Sequence, residues 1–163
     1  MVKTISKSNG LKSRASRAKN GIALIFDLEG FSKFFNQPDV HEYIPEYLNT
    51  VIDAVETCIF GGKKPGENKI TYDPLPIFPA HKKFLGDGML YVWTPPKDAH
   101  TFPTPFITLL ANRLWNLKRN FGVLNKACVD TVPVFQLPPR IRFGLARGTV
   151  YELSAAGSQE RES

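Results

Sequence analysis

Cysteine, histidine and methionine are scarce, at two, three and two among 163 residues. Cys58 and Cys128 stand apart, without a CxxC pair or Cys/His spacing. That excludes a disulfide framework or zinc site in favour of buried reduced thiols. His41, His81 and His100 are unpaired, and no Ser/His/Cys constellation surrounds them, so nucleophilic catalysis by a triad finds no support. No stretch approaches the roughly 18 consecutive apolar residues that cross a bilayer. The leader MVKTISKSNGLKSRASRAKN has no apolar h-region and does not read as a secretory signal. Internal repeats and low-complexity blocks are absent. The expectation is a cytoplasmic protein without stable membrane insertion.

The composition, 42% hydrophobic and 12% aromatic, is that of a chain able to bury one domain's core. Its net charge of +6 is concentrated at the start, where Lys3, Lys7, Lys12, Arg14, Arg17 and Lys19 are unmatched by any acid. Residues 1–19 are therefore expected to form a flexible basic arm, and 20–163 the folded domain. Without interleaved aromatics the arm resembles a solvated tail, and no nucleic-acid partner is expected.

Residues 21–26, with Ile22, Leu24, Ile25 and Phe26, form an apolar run too short for an independent helix and suited to a strand buried on both faces. Ile44, Leu48, Val51, Ile52, Val55 and Ile59 recur at helical spacing, starting at Pro45 and stopping at Gly61-Gly62. A loop rich in Gly, Pro, Lys and Asp follows. HKKFLGDGMLYVW, residues 81–93, reads as a hairpin around Gly86-Asp87-Gly88. Phe106, Leu109, Leu110, Leu114 and Leu117 predict a second helix ending at Gly122. RIRFGLARG and TVYEL read as two strands meeting near Gly148. The order β-α-ββ-α-ββ, with helices on a largely antiparallel sheet, is α+β.

Asp27 ends the first strand and Asp87 sits at the hairpin tip. Singly, each carboxylate suits a structural task, a helix cap for Asp27 and a turn for Asp87. Were the two strands neighbours, the carboxylates would converge beside the Gly30 corner, where outward amides suit phosphates and carboxylate oxygens suit a divalent cation.

FDLEGFSKFF, KFLGDGMLYVW and RIRFGLARGTVY together resemble, in order, three motifs of the class III nucleotidyl cyclases. The resemblance implies two divalent ions, Mn²⁺ or Mg²⁺, held by Asp27, Asp87 and the Leu28 carbonyl, with amides of Gly30, Phe31 and Ser32 on the phosphates. A ribose 3′-oxygen would attack the α-phosphate and release pyrophosphate, with no protein nucleophile. Lys83 stands where adenylate cyclases usually carry Lys and guanylate cyclases Glu, which implies a nucleobase contact; read locally, it is equally a solvated strand residue. The phrasing of FDLEGFSKFF, HEYIPEYL and AGSQE is most similar to Pycsar-type uridylate cyclases of bacterial anti-phage defence. This implies UTP as substrate and cyclic UMP acting on a separate effector, with cytidylate or adenylate cyclase as alternatives. Tyr43 and Tyr47 could contact a pyrimidine or belong to the core. The family works as a head-to-tail homodimer. GSQERES stops before the family's Asn/Arg helix, so the C-terminal part of the fold is expected to be missing and activity to be low.

Overall fold

The structure, a computed structural model, describes residues 11–12, 18–63, 71–134, 136–151 and 154–155. Most of the expected basic arm, residues 1–10 and 13–17, lies outside the described residues.

The elements in chain order are β1 (Leu11–Lys12), β2 (Lys19–Glu29), α1 (Phe31–Phe35), a 3₁₀ turn (Val40–Glu42), α2 (Ile44–Phe60), β3 (Gly62–Lys63), β4 (Thr71–Tyr72), β5 (His81–Phe84), β6 (Met89–Trp93), α3 (Phe106–Arg119), α4 (Phe121–Cys128), β7 (Arg140–Val150) and β8 (Ser154–Ala155). A four-stranded sheet of order β5-β6-β2-β7 is antiparallel throughout. The short pairs β1-β8 and β3-β4 lie outside it. The architecture is α+β, as the sequence pattern indicates.

β2 is the central strand, and its alternation sorts the molecule. Ile22, Leu24, Phe26 and Leu28 are fully buried with Met89, Tyr91 and Trp93 of β6, in one core with the helices. Each such side chain contributes about 1.5–3 kcal/mol by leaving water. The expectation that β2 is buried on both faces is corrected: Ile25, on the opposite face, is 46% exposed. The core forms on one side of the sheet, and the other side carries the charged residues described below.

α2 begins with Pro45 in its first turn, preceded by the separate 3₁₀ turn, and ends at Gly61. Its buried Tyr47, Leu48, Val51, Ala54, Val55, Cys58 and Ile59 form one stripe. Tyr47 donates to Asn125 Oδ1 at 2.9 Å and packs 5.1 Å from the Phe34 ring, which places it in the core and removes the pyrimidine contact considered for it. Tyr43 is half-buried against the same core.

α3 buries Phe106, Leu110, Arg113, Leu114 and Leu117, whereas Leu109 is turned outward. The helix stops at Asn120, whose amide donates to Asn116 O at 3.0 Å, and Gly122 lies in the first turn of α4, not at the end of α3. The inner position at 113 is filled by an arginine, which donates to Cys58 O (3.0 Å) and Asp73 O (2.7 Å) and lies over the Tyr72 ring. The guanidinium thereby caps a last-turn carbonyl of α2 and ties it to the following loop.

The turn expected near Gly148 is absent: β7 runs unbroken to Val150, paired with β2 from Glu29↔Arg140 to Lys19↔Val150. Gly148 falls opposite Gly21 in this ladder, so the backbone continues in register. Cys58 and Cys128 are buried and in no disulfide, and burial, with the nearby Glu46 charge, pushes the Cys128 thiol pKa up. No helix among the described residues is long and apolar enough to cross a membrane.

Candidate active site

β2 leaves the sheet at Glu29 and turns at Gly30, which has φ 79°, a left-handed conformation that a β-carbon would strain. The amides of Lys33 and Phe34 both donate to Gly30 O at 3.1 Å. The Phe31 and Ser32 amides precede these donors, where a helix has no carbonyl to offer them. Phe31 packs on Phe34 and Phe35, and Ser32 is exposed. An open depression of about 230 Å³ adjoins the turn, bounded by Glu29, Gly30, Lys33, Gln136 and Pro139. Its far wall is pinned: Gln37 Oε1 accepts from Gln136 N (2.9 Å), Gln37 Nε2 donates to Gln136 O (2.6 Å), and Asn125 Nδ2 donates to Pro138 O (2.9 Å).

β2 and β6 are neighbours, and their last aligned pair is Phe26↔Met89. Asp27 and the 85–88 loop therefore meet at one end of the sheet, with Gly88 against the Phe26 and Asp27 backbone. The loop is closed by Leu85 N donating to Gly88 O at 2.9 Å. Asp87, half-buried in it, makes no hydrogen bond or ion pair of its own among the described residues. Leu28 has its side chain in the core, so only its backbone can serve the site.

Sequence reasoning missed Arg142. It stands directly opposite Asp27 in the β2-β7 ladder, and its Nε and Nη2 donate to Asp27 Oδ1 and Oδ2 at 2.8 and 2.6 Å. Bonding to Asp27 and that carboxylate's charge hold the guanidinium pKa above its ordinary range, with further contributions from Glu29 and Asp87. The next rung, Arg140 Nε to Glu29 Oε1, is 3.9 Å. The available signal was the period-two pair of arginines in RIRFG, complementary to Asp27 and Glu29 once the strands are aligned. A depression of about 260 Å³ opens at this pair, lined by Ile25, Phe26, Asp27, Arg142, Phe143 and Gly144.

The structure thus gathers Asp27, Asp87, Leu28 and the Gly30-Phe31-Ser32 turn around one end of the sheet. Lys83 is not among them. It is exposed on the edge strand β5, aligned with Leu90, which is aligned with Ile25; two strand spacings, about 10 Å, separate it from β2. His41 packs edge-on to Phe35, and His81 and His100 are exposed elsewhere.

Among the described residues no three His, Cys, Asp or Glu side chains come together as a metal cage. The oxygen donors are two carboxylates and a backbone carbonyl, hard ligands of the kind Mg²⁺ and Mn²⁺ accept. Arg142, a cation held across both oxygens of Asp27, shows that this carboxylate presents its chelating edge to a positive charge.

The architecture is that of an α+β domain with a cyclase-like fold. Fold comparison matches it to the adenylyl cyclase CyaB from P. aeruginosa at a TM-score of 0.56, covering 88% of this chain and 69% of that one. The sequences are 12% identical, so the likeness is one of fold. No protein-family model matches the sequence, and no curated protein does either.

Proposed function

We propose that this chain is a nucleotidyl cyclase, forming a 3′,5′-cyclic nucleotide and pyrophosphate from a nucleoside triphosphate. The observation that carries the proposal is the meeting of Asp27 and Asp87 beside the Gly30 turn on a cyclase-like fold.

Asp27, Asp87 and the Leu28 carbonyl would hold Mn²⁺ or Mg²⁺. When bound, such ions favour ionisation of the ribose 3′-hydroxyl and neutralise charge on the phosphates. The 3′-oxygen bonds to the α-phosphorus as the bond to the bridging oxygen of the β-phosphate breaks; pyrophosphate departs and the hydroxyl proton passes to solvent. The amides at Gly30, Phe31 and Ser32 orient the β and γ phosphates, and Arg142 adds positive charge beside them. Lys83 contacts the base from a second protomer of a homodimer, across the open sheet face that exposes Ile25.

The base is read as uracil on the likeness of FDLEGFSKFF and its flanks to the Pycsar-type uridylate cyclases, with cyclic UMP signalling to a separate effector in anti-phage defence. Adenine is the second reading, favoured by Lys83 and by the adenylyl cyclase whose fold the chain shares. Incubation with each of the four nucleoside triphosphates and Mn²⁺, with cyclic product and pyrophosphate measured, tests both readings. Cyclic UMP from the native chain and none from Asp27→Asn supports the first, and cyclic AMP the second. Absence of any cyclic product, with no Mn²⁺-dependent nucleotide binding, would overturn the cyclase assignment.

A further inference from the structure

Of the described cations, Arg142 alone engages a carboxylate through two hydrogen bonds, and that carboxylate is the one the cyclase reading needs for metal. The contact is built in by the fold. Asp27 and Arg142 are aligned across adjacent strands, so the pair closes without any movement of a loop. It is also reversible, because the side chains are 39% and 58% exposed and water reaches both. On the neighbouring rung Glu29 Oε1 stands 3.9 Å from Arg140 Nε, without a hydrogen bond.

The geometry points to Arg142 as a resident competitor for the divalent cation at Asp27: its guanidinium closes the carboxylate in the nucleotide-free protein, and metal enters as Arg142 leaves. This rests on the reading of Asp27 as a metal ligand. A guanidinium fork across both oxygens occupies the bidentate edge that a divalent ion would take, and the two charges repel. Metal without nucleotide therefore binds more weakly than the carboxylates alone would allow. A phosphate ligand lowers that penalty by giving Arg142 another acceptor, so metal and triphosphate each raise the other's affinity, by the same factor.

The test is Mn²⁺ binding to the whole chain without nucleotide, read from the electron paramagnetic resonance signal of free Mn²⁺. The range for exposed pairs sets the expected gain for Arg142→Gln at about 1.5- to 5-fold in affinity. Arg142→Lys, which keeps the charge and loses the fork, falls between Gln and the native residue. Arg140→Gln, which removes the same charge one rung away, leaves the affinity unchanged. Equal Mn²⁺ affinity in native protein and both Arg142 variants overturns the competition while leaving Asp27 as a ligand. An equal gain from Arg140→Gln overturns it too, as an effect of net charge. Failure of every form to bind Mn²⁺ overturns the metal-site reading itself. In the native protein, titration with Mg²⁺ should also move the Arg142 Nε–H NMR resonance away from its bonded position, and no movement on Mg²⁺ binding counts against the competition.

Discussion

Gly88 lies so close to Phe26 that a β-carbon on it would overlap the Phe26 carbonyl oxygen, with Phe26 C at 2.8 Å and Asp27 Cα at 3.1 Å. The hairpin tip that carries Asp87 is thereby pressed onto the strand end that carries Asp27. Gly88→Ala should force the two backbones apart and cost about 1–3 kcal/mol, as overpacking does. Gly148→Ala meets nothing within 4 Å and should stay within about 0.5 kcal/mol of the native protein. Urea unfolding of the two variants compares them directly, and equal losses would show that the tip is not clamped.

Asp27→Asn and Asp87→Asn should each abolish Mn²⁺-dependent nucleotide binding while the melting temperature stays close to native. Asp27 is on the open face of the sheet and its partner Arg142 is exposed, so the fold gains little from their pairing. Equilibrium dialysis with and without Mn²⁺ measures the loss. Unchanged metal affinity in both variants would remove the site.

Burial raises the phenol pKa of Tyr47, and burial together with Glu56 raises that of Tyr91. Both rings therefore keep their protons in the fold at pH values where the unfolded chain would release them. The resulting stability is complete below about pH 10 and is lost as pH rises toward the folded-state values. Melting temperature should fall above about pH 10, and Tyr47→Phe should make the fall shallower. In an ultraviolet titration, two of the five tyrosines should ionise only as the protein unfolds.

Lys83→Glu should alter the preference among the four nucleoside triphosphates and leave stability within about 0.5 kcal/mol, because the residue is exposed and has no partner among the described residues. Competition between nucleotides for Mn²⁺-dependent binding reads the preference. An unaltered order would return Lys83 to an ordinary solvated strand position.

Arg113→Met should cost about 2–4 kcal/mol, since the Cys58 and Asp73 carbonyls lose a charged donor in a buried setting. Chemical denaturation measures this. A near-neutral result would mean that the loop after α2 is held by other contacts.

The α+β class, the α2 stripe and the 81–93 hairpin were legible because each is a local pattern. Apolar spacing at three and four suits only a helix with one buried face, and Asp-Gly between apolar runs suits only a tight reversal. The candidate ligands Asp27 and Asp87 were legible for the same reason, as short motifs at predicted element ends. Which strands lie side by side is a non-local matter, and the remaining features depend on it. Leu109 is exposed while Arg113, whose carbonyl partners are distant in sequence, is buried on the same helix. β7 runs straight through Gly148 because β2 offers it an eleven-residue partner. Arg142 reaches Asp27 from 115 residues away by strand register alone. Composition and periodicity determined which segments fold and which carboxylates stand at their ends. Tertiary pairing decided that one of those carboxylates is held by an arginine.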